Sequence, residues 1–238
     1  MKVSILAFAA HPDDIEISAA GTLMKHLDMG KKCVIVDLTE GELGTRGTAE
    51  TRKAESINAS KILGITQRVN LKLADGFFEH SKENLIKLIE QIRFFKPDVV
   101  LANAVEDRHP DHGKAAKLAA DACFLAGLRK IETTYQGEKQ EAWRPKAVYH
   151  YIQERYIKPD FVVDITPFAD RKIEALKAFK TQFFDPDSKE PVTPISTESY
   201  FDFLKGRWLD FGKNIGVKYA EGFTSARPVG IDDITSLL

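Results

Sequence analysis

Short apolar runs of strand length alternate along this chain with longer stretches whose apolar residues recur at helical spacing. "VSILAFA" (3–9) is the first run, and its length and β-branched content predict a buried strand. From Ile15 to Met29 apolar residues return at helical intervals up to Gly30, which predicts a helix with a glycine stop. "CVIVDLT" (33–39) predicts a second strand and "GELGTRGT" (41–48) a glycine- and threonine-rich loop. Glu50 to Leu63 predicts a helix ended by Gly64, "RVNLKL" (68–73) a third strand, and Lys82 to Phe95 an amphipathic helix stopped by Pro97. "DVVLANA" (98–104) predicts a fourth strand, "VEDRHPD" (105–111) a polar loop, and His112 to Leu128 another helix. "AVYHYIQ" (147–153) and "DFVVDIT" (160–166) predict further strands, and Phe168 to Phe179 and Ser199 to Lys213 further helices.

This alternation predicts an α/β fold: a Rossmann-like doubly wound sheet, mainly parallel in its N-terminal part, with helices on both faces. The 238 residues suit one domain over 1–238, and no repeat or low-complexity tract divides them. "FFDPDSKEPVTPISTES" (183–199) is the least regular segment. Its prolines and small polar residues predict a surface loop, with a lid over 184–199 as its second reading.

Composition narrows the function classes. Hydrophobic residues make up 43% and charged residues 29%, an ordinary globular balance. A formal net charge of -1 argues against a nucleic-acid partner, because such domains are clearly basic. No apolar segment approaches the roughly 20 residues that span a bilayer, so no membrane partner is expected. The N-terminal apolar run is broken by His-Pro-Asp-Asp and lacks a cleavage pattern, so it reads as a strand rather than a signal peptide. Cys33 and Cys123 both lie in apolar surroundings. They read as buried free thiols in a reducing, cytoplasmic compartment.

The candidate chemistry sits after strands one and four. The first turn carries His11-Pro12-Asp13-Asp14 where a dinucleotide binder would carry glycines, which counts against a nucleotide-binding module, the alternative from another class. In a 3-2-1-4-5 strand order, strands one and four flank the point where the order reverses. "HPDD" and "RHPDH" (108–112) then open onto one crevice, bringing three histidines and three aspartates together. Such a set suits a catalytic metal with three protein ligands and one open position. His11 and Asp14 are spaced to reach one ion, and His112 completes the set. Asp13 remains as general base for an attacking water. His109 faces the same site, with Asp111 expected to hold it by a hydrogen bond and favour its protonated form. An isolated aspartate pair after a strand commonly caps a helix, and a lone histidine is commonly structural. The pairing of two such loops across the switch point is what favours a metal site. Two histidines and a carboxylate also bind Fe(II), but the extra base and the cationic helpers favour hydrolysis.

These loops also resemble a known family. "AAHPDDIEISAAGTL", "DLTEGELGTRGTAETRKAE", "EDRHPDH", "KIEALKAFKTQF" and "GVKYAEGF" are similar to the LmbE-like (PIG-L) family of zinc-dependent N-acetylglucosaminide deacetylases, over nearly the whole chain. The resemblance implies Zn2+ on His11, Asp14 and His112, with Fe2+ as its substitute in cells, and Asp13 as general base. It implies that His109, oriented by Asp111, stabilises the oxyanion or protonates the leaving amine. Arg52 is implied to bind sugar hydroxyls, Tyr200 to line the site and assist the oxyanion, and Glu16 to support the loop. The last two stretches point to the branch that includes the bacillithiol-biosynthesis deacetylase. The implied substrate is N-acetyl-α-D-glucosaminyl L-malate, with free N-acetylglucosamine or chitobiose-type sugars as the alternative. Because malate is a dicarboxylate, Arg46, Lys53 and Arg108 become candidate contacts, Arg108 foremost. Relatives further imply a homo-oligomer, up to a hexamer.

Overall fold

The structure is a computed structural model that describes residues 1–231 and 233–236. The N-terminal apolar run forms β1 (Ile5–Ala9), and "CVIVDLT" forms β2 (Cys33–Thr39); both are buried at every position. Continuous burial without polar alternation is what a sheet covered on both faces requires. β3 (Arg68–Leu73), β4 (Val99–Ala102), β7 (Ala147–Tyr151), β8 (Phe161–Asp164) and β9 (Ala220–Ser225) complete a seven-stranded sheet of order β3-β2-β1-β4-β7-β9-β8. β5 (Thr134–Tyr135) and β6 (Glu138–Lys139) form a separate small hairpin.

β1 pairs in parallel with β2, from Ile5 opposite Cys33 to Ala9 opposite Asp37, and with β4, from Ile5 opposite Val99 to Ala7 opposite Leu101. β3 and β7 extend the parallel part, so the expected order of the first five strands holds. The last two pairings, β7 with β9 and β9 with β8, are antiparallel, so β9 alone runs against the others.

Among the described residues seven α-helices cover the sheet: α1 (Asp14–Ser18), α2 (Ala20–Asp28), α3 (Ala49–Leu63), α4 (Lys82–Phe95), α5 (Pro110–Ala126), α6 (Ala169–Lys177) and α7 (Ser199–Lys213). Successive strand residues face opposite sides. Leu6 and Phe8 join Leu88 and Ile92 of α4 and Leu118 of α5 in one core, while Ile5, Ala7 and Ala9 join Ile15, Leu23, Leu63 and Ala175 in the other. Helices therefore lie on both faces, as expected. Cys33 and Cys123 are buried and free. Among the described residues no helix is long and apolar enough to cross a membrane.

Besides the small β5–β6 hairpin, for which no strand was expected, two elements differ from expectation. The single helix over 15–29 is broken at Ala19 (φ -138°), giving α1 and α2. The break has a distant cause. Glu221 on β9 accepts hydrogen bonds from the backbone N–H groups of Gly21 (2.9 Å) and Thr22 (2.7 Å), satisfying donors at the start of α2. Only glycine fits at 21, because a Cβ there would lie 2.6 Å from the Ile165 side chain. Lys172 of α6 closes the arrangement 2.5 Å from Glu221. The second difference is β9 itself. Its "AEGFTS" carries no strong strand pattern, yet it inserts between β7 and β8.

Candidate active site

β1 and β4 are adjacent, and the loops leaving their carboxyl ends meet. The rings of His11 and His109 lie 4.6 Å apart, His109 and His112 5.2 Å, and His11 and His112 5.5 Å, centroid to centroid. Ligand-capable nitrogens of all three come within 4.8 Å of one another. Asp14 joins them, with Oδ1 3.2 Å from His112 Nε2 and Oδ2 3.8 Å from His11 Nδ1. They line a cavity of about 450 Å³ with Asp13, Arg46, Arg52, Asp75, Asp107, Arg108, Gln153, Glu154 and Tyr200.

Asp14 is held at four points. Its Oδ2 accepts from His11 N (2.9 Å) and Asn103 Nδ2 (2.8 Å), and its Oδ1 faces Gln153 Nε2 (2.9 Å) as well as His112. Burial opposes its charge, but His112 and His11 dominate and hold the carboxyl well below the usual range. The same attraction acts in reverse. Burial disfavours charge on His11, yet Asp111, Asp75 and Asp14 raise its pKa to about 10. Asp14 and Asp107 outweigh burial at His112 and raise it to about 9. The pocket favours positive charge near two imidazoles and a carboxylate, a donor set that fits a borderline divalent ion such as zinc.

Asp13 occupies a strained backbone conformation, φ 131° and ψ -21°. An L-residue rarely adopts it, and such strain collects at functional sites. Burial pushes the Asp13 carboxyl up to about 7, helped by Asp14 and Glu16 and opposed by Arg52 and His11. That value suits a general base at neutral pH.

Arg52 lies in the cavity wall, but its guanidinium serves the loops. Nη2 donates to Asp13 Oδ2 (3.0 Å) and Pro12 O (2.8 Å), and Nη1 to Gly41 O (3.2 Å). Gly41 lies in the left-handed region (φ 67°), and a Cβ there would sit 2.0 Å from Nη1. Glu16 meets Arg68 at 2.7 Å, and Arg68 grips Asp37 at 2.7 and 2.9 Å, which ties α1 to β2 and β3, the supporting place expected of it. Tyr200 lines the cavity from α7, stacked between Phe183 and Phe203, and burial holds its hydroxyl well above the usual range. Arg108 stands half-exposed at the cavity, 3.3 Å from Glu154. Arg46 is buried and reaches Ser188 (2.5 Å) and Glu190 (3.4 Å), while Thr193, Pro194 and Ile195 form part of the wall.

Two expectations need correction. Asp111 does not hold His109. α5 begins at Pro110, so His109 becomes its N-cap, accepting from Asp111 N through Nδ1 at 3.3 Å. The Asp111 carboxylate points elsewhere, to Gly76 N (2.7 Å), Lys114 Nζ (3.2 Å) and His11 Nε2 (3.5 Å). Burial and the charges of His11 and His112 lower the pKa of His109 rather than raising it. Lys53 is exposed and lines a separate cavity of about 290 Å³, outside the histidine site.

Four further residues shape the site. Asp75, in the turn after β3, lies 3.1 Å from His11 Nε2. Asp107 lies 2.5 Å from His112 Nδ1. Asn103 and Gln153 orient Asp14. Only Asp107 was near a visible motif, five residues before His112. Asn103 is a polar residue ending an apolar strand run, a weak signal. Nothing local marks Asp75 or Gln153.

The profile of the PIG-L family, described as GlcNAc-PI de-N-acetylase, matches residues 6–123. The chain is 28% identical over 228 residues to the diacetylchitobiose deacetylase of Thermococcus kodakarensis, covering 92% of this chain and 81% of that one. It is 30% identical over 199 residues to the probable N-acetyl-alpha-D-glucosaminyl L-malate deacetylase 2 of Bacillus subtilis, covering 76% of this chain and 84% of that one. Among solved structures, the conserved protein TT1542 from Thermus thermophilus superposes with a TM-score of 0.87 and 35% identity, covering 98% of each chain. With two histidine–aspartate loops meeting over a parallel sheet and relatives matched along most of their length, this chain belongs to the PIG-L (LmbE-like) family of deacetylases.

Proposed function

We propose that the protein is a metal-dependent hydrolase that removes the acetyl group from an N-acetylglucosamine conjugate. The observation that carries this reading is the convergence of His11, Asp14 and His112 beside a desolvated Asp13 at one cavity. His11, Asp14 and His112 would hold a divalent ion, zinc by donor type, with Fe2+ as its substitute in cells. When bound there, the ion supplies Lewis acidity to the amide carbonyl and the attacking water. Asp13 takes the proton from that water, and Arg52 keeps its carboxylate charged and aimed. His109, the least buried of the three imidazoles, is free to donate to the developing oxyanion or to the departing amine; Asp13 is the other proton source for that amine. Tyr200 adds a hydroxyl to the oxyanion side of the wall. Arg52 lines the cavity wall, the place from which it would meet a sugar hydroxyl.

The substrate favoured is N-acetyl-α-D-glucosaminyl L-malate. The similarity to the Bacillus subtilis protein supports it, as do Arg46 and Arg108 at the cavity. Diacetylchitobiose is the second reading, supported by the longer match to the Thermococcus kodakarensis enzyme. The test measures bound metal and acetate release from the malate conjugate, diacetylchitobiose and free N-acetylglucosamine. Acetate release that follows metal loading supports the hydrolase, and the preferred sugar identifies the aglycone. No metal uptake and no acetate from any of the three overturns it. A cytoplasmic homo-oligomer, up to a hexamer, acting on a small molecule remains part of the same reading.

A further inference from the structure

The carboxylates behind the two imidazoles sit on opposite ring nitrogens. At His112 the carboxylate Asp107 Oδ2 lies 2.5 Å from Nδ1, and Asp107 Oδ1 is itself fixed by the backbone N–H of Arg155 at 2.7 Å. The Asp107 side chain is fully buried, so its position is set by these two contacts rather than by water. At His11 the carboxylates lie on the other nitrogen. Nε2 stands 3.1 Å from Asp75 Oδ1 and 3.5 Å from Asp111 Oδ2, shared between them and aligned with neither. Both are anchored by backbone donors, Asp75 by Leu43 N (2.9 Å) and Asp111 by Gly76 N (2.7 Å). Each ring thus has Asp14 on one side and, behind it, either Asp107 or the Asp75 and Asp111 pair. The nitrogen facing the carboxylate behind the ring would keep its proton, while the one facing Asp14 would give its proton up to a bound metal. In both rings the nitrogen that would be freed for the metal is then the one nearer Asp14.

We propose that Asp107, with Asp75 and Asp111 in the complementary place, is a positioning residue that fixes the two imidazoles in opposite tautomers. Nε2 of His112 and Nδ1 of His11 would thereby be the atoms offered, with Asp14, to a bound metal. This rests on the metal-dependent reading above. Asp107 touches no reacting atom; it acts through His112, by pre-orienting the ring and raising its basicity.

Two measurements test it. Nitrogen-15 spectra of the zinc-loaded protein report which nitrogen of each ring bears the proton, and are expected to show Nδ1–H at His112 and Nε2–H at His11. Zinc affinity is then measured by competition with a chromophoric chelator in the wild type, Asp107→Asn, Asp107→Ala and, as a neighbouring exposed control, Glu106→Gln. Asp107→Asn keeps an acceptor but loses the charge, so about a tenfold weakening is expected, against about a hundredfold for Asp107→Ala and none for the control. Failure of the wild type to take up zinc overturns the metal reading itself. Zinc uptake with equal affinity in all four proteins, or with His112 bound through Nδ1, overturns the positioning role while the metal reading stands. The wild-type spectra decide the tautomers even where a variant fails to fold.

Discussion

Arg52 Nη2 and Asp13 Oδ2 meet at 3.0 Å in a buried ion pair that joins α3 to the turn after β1, with both side chains less than a tenth exposed. Asp13 is desolvated beside Asp14, and Arg52 is the largest influence holding its charge. Arg52→Met should leave that carboxyl protonated at neutral pH. Turnover is expected to fall about a hundredfold or more, the scale of a lost general base. Metal content, read by elemental analysis, should be unchanged. Unaltered turnover would remove Arg52 and Asp13 from the proton-transfer step.

The backbone of Asp13 makes a separate prediction. At φ 131° a side chain is strained and glycine is not. Asp13→Ala and Asp13→Gly both remove the carboxylate and both leave Arg52 without it, so their difference isolates the backbone. Asp13→Gly should be more stable than Asp13→Ala by about 1–2 kcal/mol in urea unfolding. Equal midpoints would mean the turn relaxes when the carboxylate is gone.

Lys172 and Glu221 are both buried and 2.5 Å apart, with the ammonium 4.3 Å from the centre of the Trp208 ring. Lys172→Met leaves the Glu221 charge uncompensated and should cost about 3–5 kcal/mol. Adding Glu221→Gln removes that charge while keeping an acceptor for the start of α2. The double variant should recover more than half of the loss. A double variant no more stable than Lys172→Met would show that the pair acts through packing alone.

His150 on β7 is buried, and its Nδ1 donates to Asn103 O at 2.8 Å. Burial lowers its pKa below the usual histidine value. The unfolded chain therefore binds this proton more readily. Stability linked to His150 is intact above about pH 6.5 and is lost as pH falls toward the folded value, by at most about 1.4 kcal/mol per pH unit. The stability drop from pH 7.5 to 5.5 should be smaller in His150→Gln than in the wild type. Identical drops would rule out this residue as a source.

Glu190 accepts from Gly47 N at 3.0 Å and faces Arg46 at 3.4 Å, so it joins the 184–199 loop to the loop before α3. Thr193, Pro194 and Ile195 of the same segment line the cavity. Glu190→Ala should loosen this wall, raising KM several-fold with a smaller change in kcat. A loss confined to kcat would place the loop in the chemistry instead.

Much of this protein was legible along the chain. Strand runs such as "CVIVDLT", the glycine stop at 64 and the alternation of elements determined a parallel α/β sheet, because burial on both faces demands continuous apolar strands. The two histidine–aspartate loops were equally legible, since adjacent strands one and four must open onto one crevice. Tertiary structure alone decided the rest. Glu221 breaks a helix 200 residues away by capping Gly21. The N-cap at His109 turns the Asp111 carboxylate from His109 toward His11. Asp75 reaches His11 from the turn after β3, and "AEGFTS" becomes a strand only by lying between β7 and β8. Periodicity reports which residues must leave water, and it fixes the elements. Carboxylate direction and long-range hydrogen bonds depend on which backbone groups arrive from elsewhere, and no local pattern encodes that arrival.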